Sequence, residues 1–97
     1  MESRNVKELV VYTIKPDFQS RIEEVQAIVK RCVEGFPGFK SIESFQSTSD
    51  SSVLMDWLEW DSLENAKKAQ SEFEKHPEYS KLMDALDQMK FADHFTN

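Results

Sequence analysis

His76 and Tyr79 are the side chains best suited to proton transfer, and they lie close together in the stretch "FEKHPEY", residues 73–79. An unperturbed imidazole titrates near neutral pH, which suits a general acid or base. The same two residues also have a structural interpretation. An imidazolium at the C-terminal end of a helix interacts favourably with the helix dipole, and Tyr79 continues an apolar helical stripe. The stretch therefore predicts either a catalytic pair or a joint between two helices, and the joint is the favoured interpretation.

Metal, thiol and phosphate chemistry find little support in the sequence. The two histidines, His76 and His94, are too few and too irregularly spaced for a histidine metal site, so no metal is predicted. Cys32 is the only cysteine, and its place on an apolar helical stripe indicates a buried core residue rather than a nucleophile. Glycine occurs only at positions 35 and 38, so no glycine-rich loop can hold a phosphate.

The chain has 97 residues, which predicts a single domain over residues 1–97. Its 12 Lys and Arg against 18 Asp and Glu give a net charge of −6. The basic footprint that binds nucleic acid or an anionic membrane is therefore missing, and neither partner is expected. The sequence contains no apolar run long enough to span a membrane and no signal-peptide pattern, so a cytoplasmic location is predicted.

Apolar spacing predicts six main elements. Strands are predicted over residues 8–15, 39–47, 53–60 and 89–96. A first helix is predicted to begin at Asp17 or Ser20, with a capping box over residues 20–23, and to stop at Gly35 before a type II turn at residues 37–38. A second capping box, residues 61–64, opens a helix to about His76, and Pro77 begins a further helical segment. The order predicts an α+β fold, ferredoxin-like βαββαβ, with a four-stranded antiparallel sheet covered by helices on one face.

Bulky side chains alternate onto both faces of the predicted first and third strands. Helices cover only one face, so the other would expose an apolar patch drawn from Tyr12, Trp57, Phe91 and neighbours, or from the alternate set. Such a patch usually marks an interface. We therefore predict a homodimer in which two sheets pack face to face. A curled monomer with an occupied pocket is the alternative.

With this order of elements, the chain resembles the dimeric α/β-barrel superfamily, and most closely its antibiotic biosynthesis monooxygenase-like domains. The resemblance rests on "VVYTIKP" in the first strand, "GFPGF" after the first helix and "EWDSLENAKKAQSEFEKHPEY" around the second helix. It covers nearly the whole chain and implies a dimeric α/β barrel.

The resemblance also implies an activity, that of a small homodimeric monooxygenase acting on a phenol- or quinol-type aromatic compound without metal, flavin or haem. The substrate of such an enzyme supplies the electrons, so the protein must deprotonate a phenol, hydrogen-bond the oxyanion and exclude water. The expected catalytic residues are His76 and Tyr79. The expected substrate-binding residues are Tyr12, Trp57, Trp60, Met83 and Phe91.

Several of these residues have simpler interpretations. Trp60 precedes a helix cap and can be a core residue, Trp57 can belong to the core or to a dimer interface, and His94 can be a surface strand residue. Haem-degrading relatives carry an asparagine on the first strand, a tryptophan in the second helix and a haem-ligating histidine. Here Ala69 and Met83 stand at the last two positions and residues 8–15 contain no asparagine, so haem degradation is not expected.

Two functions other than catalysis stay open. The chain could be a homodimeric module that binds a small apolar ligand without chemistry, or a dimer whose sheet faces simply fill each other. A cavity between helices and sheet would favour the enzyme or the binding module, whereas dense packing there would favour the structural dimer.

Overall fold

The computed structural model describes residues 5–97. The strands are β1 (Val6–Ile14), β2 (Phe39–Gln46), β3 (Val53–Trp60) and β4 (Leu86–Phe95). The α-helices are α1 (Ile22–Val33), α2 (Leu63–Glu72) and α3 (Tyr79–Ala85). Short 3-10 helices precede α1 (Pro16–Arg21) and follow α2 (Phe73–Lys75). The predicted α+β class and the ferredoxin-like order of elements are confirmed.

The four strands form one sheet in the order β2-β3-β1-β4, and every neighbouring pair is antiparallel. Side chains alternate between the two faces, so the even-numbered residues of β1 and β3 face the helices. The core lies between this face and the helices. Its largest fully buried side chains are Trp60, Ile14, Leu54, Val25 and Cys32.

Two of the predicted helix boundaries rest on local chemistry that the structure shows. Phe39 N–H donates to Phe36 O at 3.3 Å around Gly38, whose φ of 84° confirms the type II turn. Ser62 caps α2 by accepting a hydrogen bond from Asn65 N–H, so the N-cap lies one residue after Asp61, the cap that the predicted box over residues 61–64 implies.

Other boundaries differ from the predictions. The capping box over residues 20–23 is wrong, because residues 16–21 form a 3-10 helix and α1 begins without a side-chain cap. Gly35 does not adopt the left-handed conformation predicted for the helix stop. Pro77 lies in the turn before α3, which begins at Tyr79, and β4 begins three residues before the predicted Met89.

The second face of the sheet carries large apolar side chains that none of the helices in residues 5–97 covers. Trp57 is 38% exposed, and Phe45, Phe91 and Phe95 are each 44% exposed. Phe91 and Phe95 stack with ring centroids 6.2 Å apart. Tyr12 does not belong to this uncovered face, since it points toward the helices and is buried. None of the helices within residues 5–97 combines the length and the apolar composition that crossing a membrane requires.

Candidate functional site

A cavity of about 420 Å³ lies between the helices and the covered face of the sheet. It lies where the two halves of the core meet, since Tyr12 and Val29 belong to one buried cluster and Trp60 and Leu58 to the other. Most of its wall is apolar. The polar side chains on the wall are those of Glu8, Tyr12, Asp56, Gln70, Glu74 and Tyr79.

Asp56 places a carboxylate on this wall. It occupies a helix-facing position of β3 between Leu54 and Leu58, and only 2% of its surface is exposed. Its Oδ1 accepts no hydrogen bond from any of residues 5–97. Burial raises the pKa of Asp56, the hydroxyls of Ser44 and Tyr12 oppose that rise, and the charge of Glu8 adds to it. A buried carboxylate without a full set of partners is costly, which makes it a candidate functional group.

Tyr12 contributes a hydroxyl from β1, the neighbouring strand. The residue is 3% exposed, it lines the cavity, and its Oη lies near the Asp56 carboxylate without a well-formed hydrogen bond within the described residues. Burial raises the pKa of Tyr12, and the nearby Asp56 charge raises it further. The hydroxyl therefore keeps its proton over the working range of pH and remains a hydrogen-bond donor for a group in the cavity.

Glu8, on β1, places a further carboxylate on the cavity wall. Trp60 Nε1 donates a hydrogen bond of 2.8 Å to Glu8 Oε1, while His94 Nε2 lies 3.8 Å from Glu8 Oε2. Burial raises the pKa of Glu8, and both the indole and His94 oppose that rise. The His94 side chain is only 14% exposed, so its interpretation as a surface residue is wrong.

Tyr79 and Met83 reach the cavity from α3. The ring of Tyr79 packs edge-on against Phe73, with the centroids 5.9 Å apart and the planes at 82°. The apolar stripe that continues through Leu82 therefore holds Tyr79 on the cavity wall, and α3 forms one side of the cavity.

His76 lies outside the cavity wall, at the joint between α2 and α3. Its Nδ1 accepts a hydrogen bond of 3.1 Å from Glu78 N–H and lies 3.5 Å from Cys32 Sγ. Cys32 is 1% exposed, which confirms its prediction as a core residue, and burial raises the pKa of its thiol. Arg31 on α1 forms two hydrogen bonds to Glu78, at 2.6 and 2.9 Å, and ties this joint to the helix beside it.

The residues predicted for the site lie in three different places. The cavity wall brings together Tyr12, Trp60, Tyr79 and Met83. His76 does not line it. Trp57 and Phe91 belong to the opposite face, because their strand partners Leu9 and Val11 point away from the helices.

Sequence reasoning missed Asp56 and Glu8, although the sequence contains a signal for both. Each carboxylate interrupts an otherwise apolar face of a strand, Asp56 between Leu54 and Leu58, and Glu8 between Val6 and Val10. An acidic residue at a core-facing position is rare unless it has a partner or a role. No group of three or more His, Cys, Asp or Glu side chains within residues 5–97 is arranged to hold a metal ion.

No protein-family model matches the chain, and no curated protein is significantly similar to it. Solved structures do match it. A protein from Bordetella bronchiseptica assigned by name to the antibiotic biosynthesis monooxygenases has a TM-score of 0.76 at 10% identity, over 98% of both chains. A namesake from Chloroflexus aurantiacus has a TM-score of 0.73 at 15% identity, over 96% of this chain and 92% of its own.

A variant of SnoaB, a cofactor-independent oxygenase from Streptomyces nogalater, has a TM-score of 0.75 at 14% identity, over 98% of this chain and 94% of SnoaB. Identities this low show the fold alone. The chain has the fold of the antibiotic biosynthesis monooxygenase-like proteins, as its resemblance to that family implies.

Proposed function

We propose that the protein is a cofactor-independent monooxygenase acting on a small phenol- or quinol-type compound bound in the cavity. The observation that carries the proposal is the Asp56 carboxylate, which is 2% exposed, lines the cavity and has an oxygen without a hydrogen-bond partner among the described residues. A group in that state is poised to take a proton from a ligand.

Asp56 is assigned as the general base that removes the phenolic proton. Burial raises its pKa, which makes the carboxylate a stronger base than an exposed aspartate. Tyr12 is assigned as the donor that hydrogen-bonds the developing phenolate oxygen, because its hydroxyl keeps its proton and lies near Asp56 without a well-formed hydrogen bond within residues 5–97. Tyr79, on the cavity wall, is assigned to orient the ring of the substrate.

The substrate itself supplies the electrons in this scheme. A phenol with a hydrogen ortho or para to its hydroxyl reacts with one O₂ to give a quinone and one water. One oxygen atom enters the ring and the other leaves as water, so no other reductant is needed. The apolar wall, with Leu58, Val29 and Leu82 among its members, excludes solvent from the phenolate and strengthens the contacts of Tyr12 and Asp56 with it.

The likeness to SnoaB supports this reaction class, since a structure named as a cofactor-independent oxygenase shares the fold. The size of the cavity supports a small ligand, because about 420 Å³ falls in the range of small-molecule sites. A cavity at this place also favours an enzyme or a binding module over a dimer that only fills its own sheet faces.

The proposal includes a homodimer formed through the uncovered face of the sheet. Exposed Trp57, Phe45 and Phe91 support it, since a patch of this kind usually marks an interface. Light scattering at micromolar concentration tests it. Twice the monomer mass is expected for the native protein, with dissociation on Phe91→Lys, whereas a monomer mass for the native protein would contradict the homodimer.

Oxygen uptake with a panel of phenols and quinols tests the catalytic assignment. Asp56→Asn is expected to lower the turnover by about 100-fold or more, the range of general-base catalysis, and Tyr12→Phe to lower it by a smaller factor. Glu23→Gln, on the exposed surface of α1, is the charge-matched control.

Two further variants, His76→Ala and Tyr79→Phe, test the catalytic roles predicted from "FEKHPEY". If His76→Ala lowers the rate of oxygen uptake while the variant stays stably folded, the role of general base would be reassigned from Asp56 to His76. If the protein binds panel compounds but consumes oxygen with none of them, the proposed enzyme function would give way to that of a binding module.

A further inference from the structure

The charged side chains on the cavity wall all carry the same sign. Glu8, Asp56 and Glu74 line the cavity, while no Lys, Arg or His among residues 5–97 does so. A carboxylate-bearing ligand would meet like charges in a largely apolar space, where they interact strongly. A cationic ligand would instead find acceptors, and at Glu8 it would share the carboxylate with His94, whose Nε2 lies 3.8 Å from Glu8 Oε2.

The buried carboxylate of Asp56 and the half-buried carboxylate of Glu8 each have an oxygen without a hydrogen bond among residues 5–97. Only 2% of the surface of Asp56 is exposed, and its Oδ1 has no hydrogen-bond partner within the described residues. Glu8 has one oxygen held by Trp60, while its second oxygen lies 3.8 Å from His94, beyond hydrogen-bonding distance. Glu8 and Asp56 lie near enough for their charges to repel. A cationic hydrogen-bond donor at Glu8 would reduce that repulsion and could donate to Oε2 of Glu8.

We propose that the cavity selects a phenol that also carries a protonated amine, with the ammonium group at Glu8 and the hydroxyl group at Asp56 and Tyr12. This inference rests on the proposed function and narrows its substrate class. The residue opposite Glu8 is Leu58 and the residue opposite Asp56 is Val10. The two carboxylates are therefore diagonal neighbours on one face, with backbones about 7–8 Å apart, which suits a phenol with a short aminoalkyl arm.

Trp60 gives this arrangement its direction. Its indole donates to Glu8 Oε1 and so fixes the carboxylate, and the ring itself lines the cavity beside it. The indole N–H points at Glu8 Oε1 in the plane of the ring, so Oε2 is the oxygen left for an ammonium group. Asp56 and Tyr12 are then left for the hydroxyl that reacts.

Binding of three ring-matched ligands of different charge tests the inference. The probes are tyramine as the cation, para-ethylphenol as the neutral compound and para-hydroxyphenylpropanoate as the anion, measured by calorimetry without oxygen. Tyramine is expected to bind about 10- to 100-fold more tightly than para-ethylphenol, the range for a hydrogen bond to a charged group, and the anion most weakly.

Glu8→Gln is expected to remove the advantage of tyramine and to leave the affinity for para-ethylphenol within about threefold. The amide keeps an oxygen that can accept from Trp60, and Glu23→Gln is the surface control. Equal affinities for the three probes, tighter binding of the anion, or no binding of any probe at millimolar concentration would overturn the inference in the wild-type protein, without any variant.

The two proposals fail separately. Tyramine preference without oxygen uptake by any phenol would remove the monooxygenase and keep the charge selection. Oxygen uptake by neutral phenols without tyramine preference would remove the charge selection and keep the monooxygenase.

Discussion

The indole nitrogen of Trp60 and the carboxylate of Glu8 are joined by a 2.8 Å hydrogen bond across the two central strands. Trp60 is 1% exposed and the Glu8 side chain 16% exposed, so water competes little with this bond. Trp60→Phe should lower the free energy of unfolding by about 2–3 kcal/mol, because it leaves a half-buried carboxylate without its donor. Urea unfolding at neutral pH measures the change.

Trp57→Phe is the matched control for that prediction. Trp57 lies on the same strand but points to the uncovered face and is 38% exposed. Its replacement should cost less than about 1 kcal/mol at concentrations where the protein is monomeric. An equal cost for the two variants would indicate that ring volume, rather than the bond to Glu8, decides the stability.

Much of the fold could be predicted from the sequence because its signals are local. The turn at Pro37 and Gly38 depends on two residues, and the structure shows its hydrogen bond and positive φ. The start of α2 was predicted to within one residue, since Ser62 rather than Asp61 is the cap. The predicted start of the first helix is wrong. Ser20 and Glu23 match a capping box, but a 3-10 helix that begins at Pro16 occupies this part of the chain instead. Local patterns compete there, and packing decides.

The site was harder to predict because it depends on which strand face the helices cover. Alternation along β3 places Leu54, Leu58 and Trp60 on one face. Asp56 lies on that same face, and its side chain is buried there. His76 shows the converse problem. It is near Tyr79 in sequence, but its ring turns toward Cys32 while Tyr79 turns to the cavity. Sequence proximity could not separate those directions.

The raised pKa of Asp56 predicts how stability depends on pH. Its folded pKa lies above its unfolded pKa, so the folded chain holds this proton more tightly. The stabilising contribution is present below the unfolded pKa and is lost as pH rises through the folded value. Asp56→Asn should therefore unfold with about 1–3 kcal/mol more free energy than the wild type at pH 7, with the difference shrinking toward about pH 4.

Urea unfolding at a series of pH values checks this dependence, with Glu23→Gln as the exposed control that should follow the wild type. An Asp56→Asn variant less stable than the wild type at pH 7 would show that the carboxylate is well compensated in the folded state. That result would also weaken its assignment as a poised base.

The Arg31–Glu78 pair predicts an opposite shift. Arg31 lowers the pKa of Glu78 to about 2, mainly through its hydrogen bonds to the carboxylate. This contribution to stability is present above the unfolded pKa and is lost as pH falls through the folded value. Arg31→Gln should return the pKa of Glu78 toward 4.5, as measured by NMR titration. Arg21→Gln, which removes the partner of Glu24, should leave it unchanged.

Two alanines on α2 are expected to respond differently to a larger side chain. Ala69 and Ala66 are 4% and 1% exposed, but only Ala69 lines the cavity. Ala69→Leu should fill the cavity, abolish ligand binding and change the free energy of unfolding by less than about 1 kcal/mol, because the new methyl groups enter empty space. Ala66→Leu should cost about 1–3 kcal/mol, because no space receives it.

Calorimetric binding of para-ethylphenol together with urea unfolding separates the two alanine variants. Ligand binding retained by Ala69→Leu, in a variant as stable as the wild type, would place the ligand outside this cavity. Lost binding in Ala69→Leu with stability unchanged would locate the ligand between the helices and the sheet. Asp56, Tyr12 and Glu8 would then share its space, which is what both the base assignment and the charge selection require.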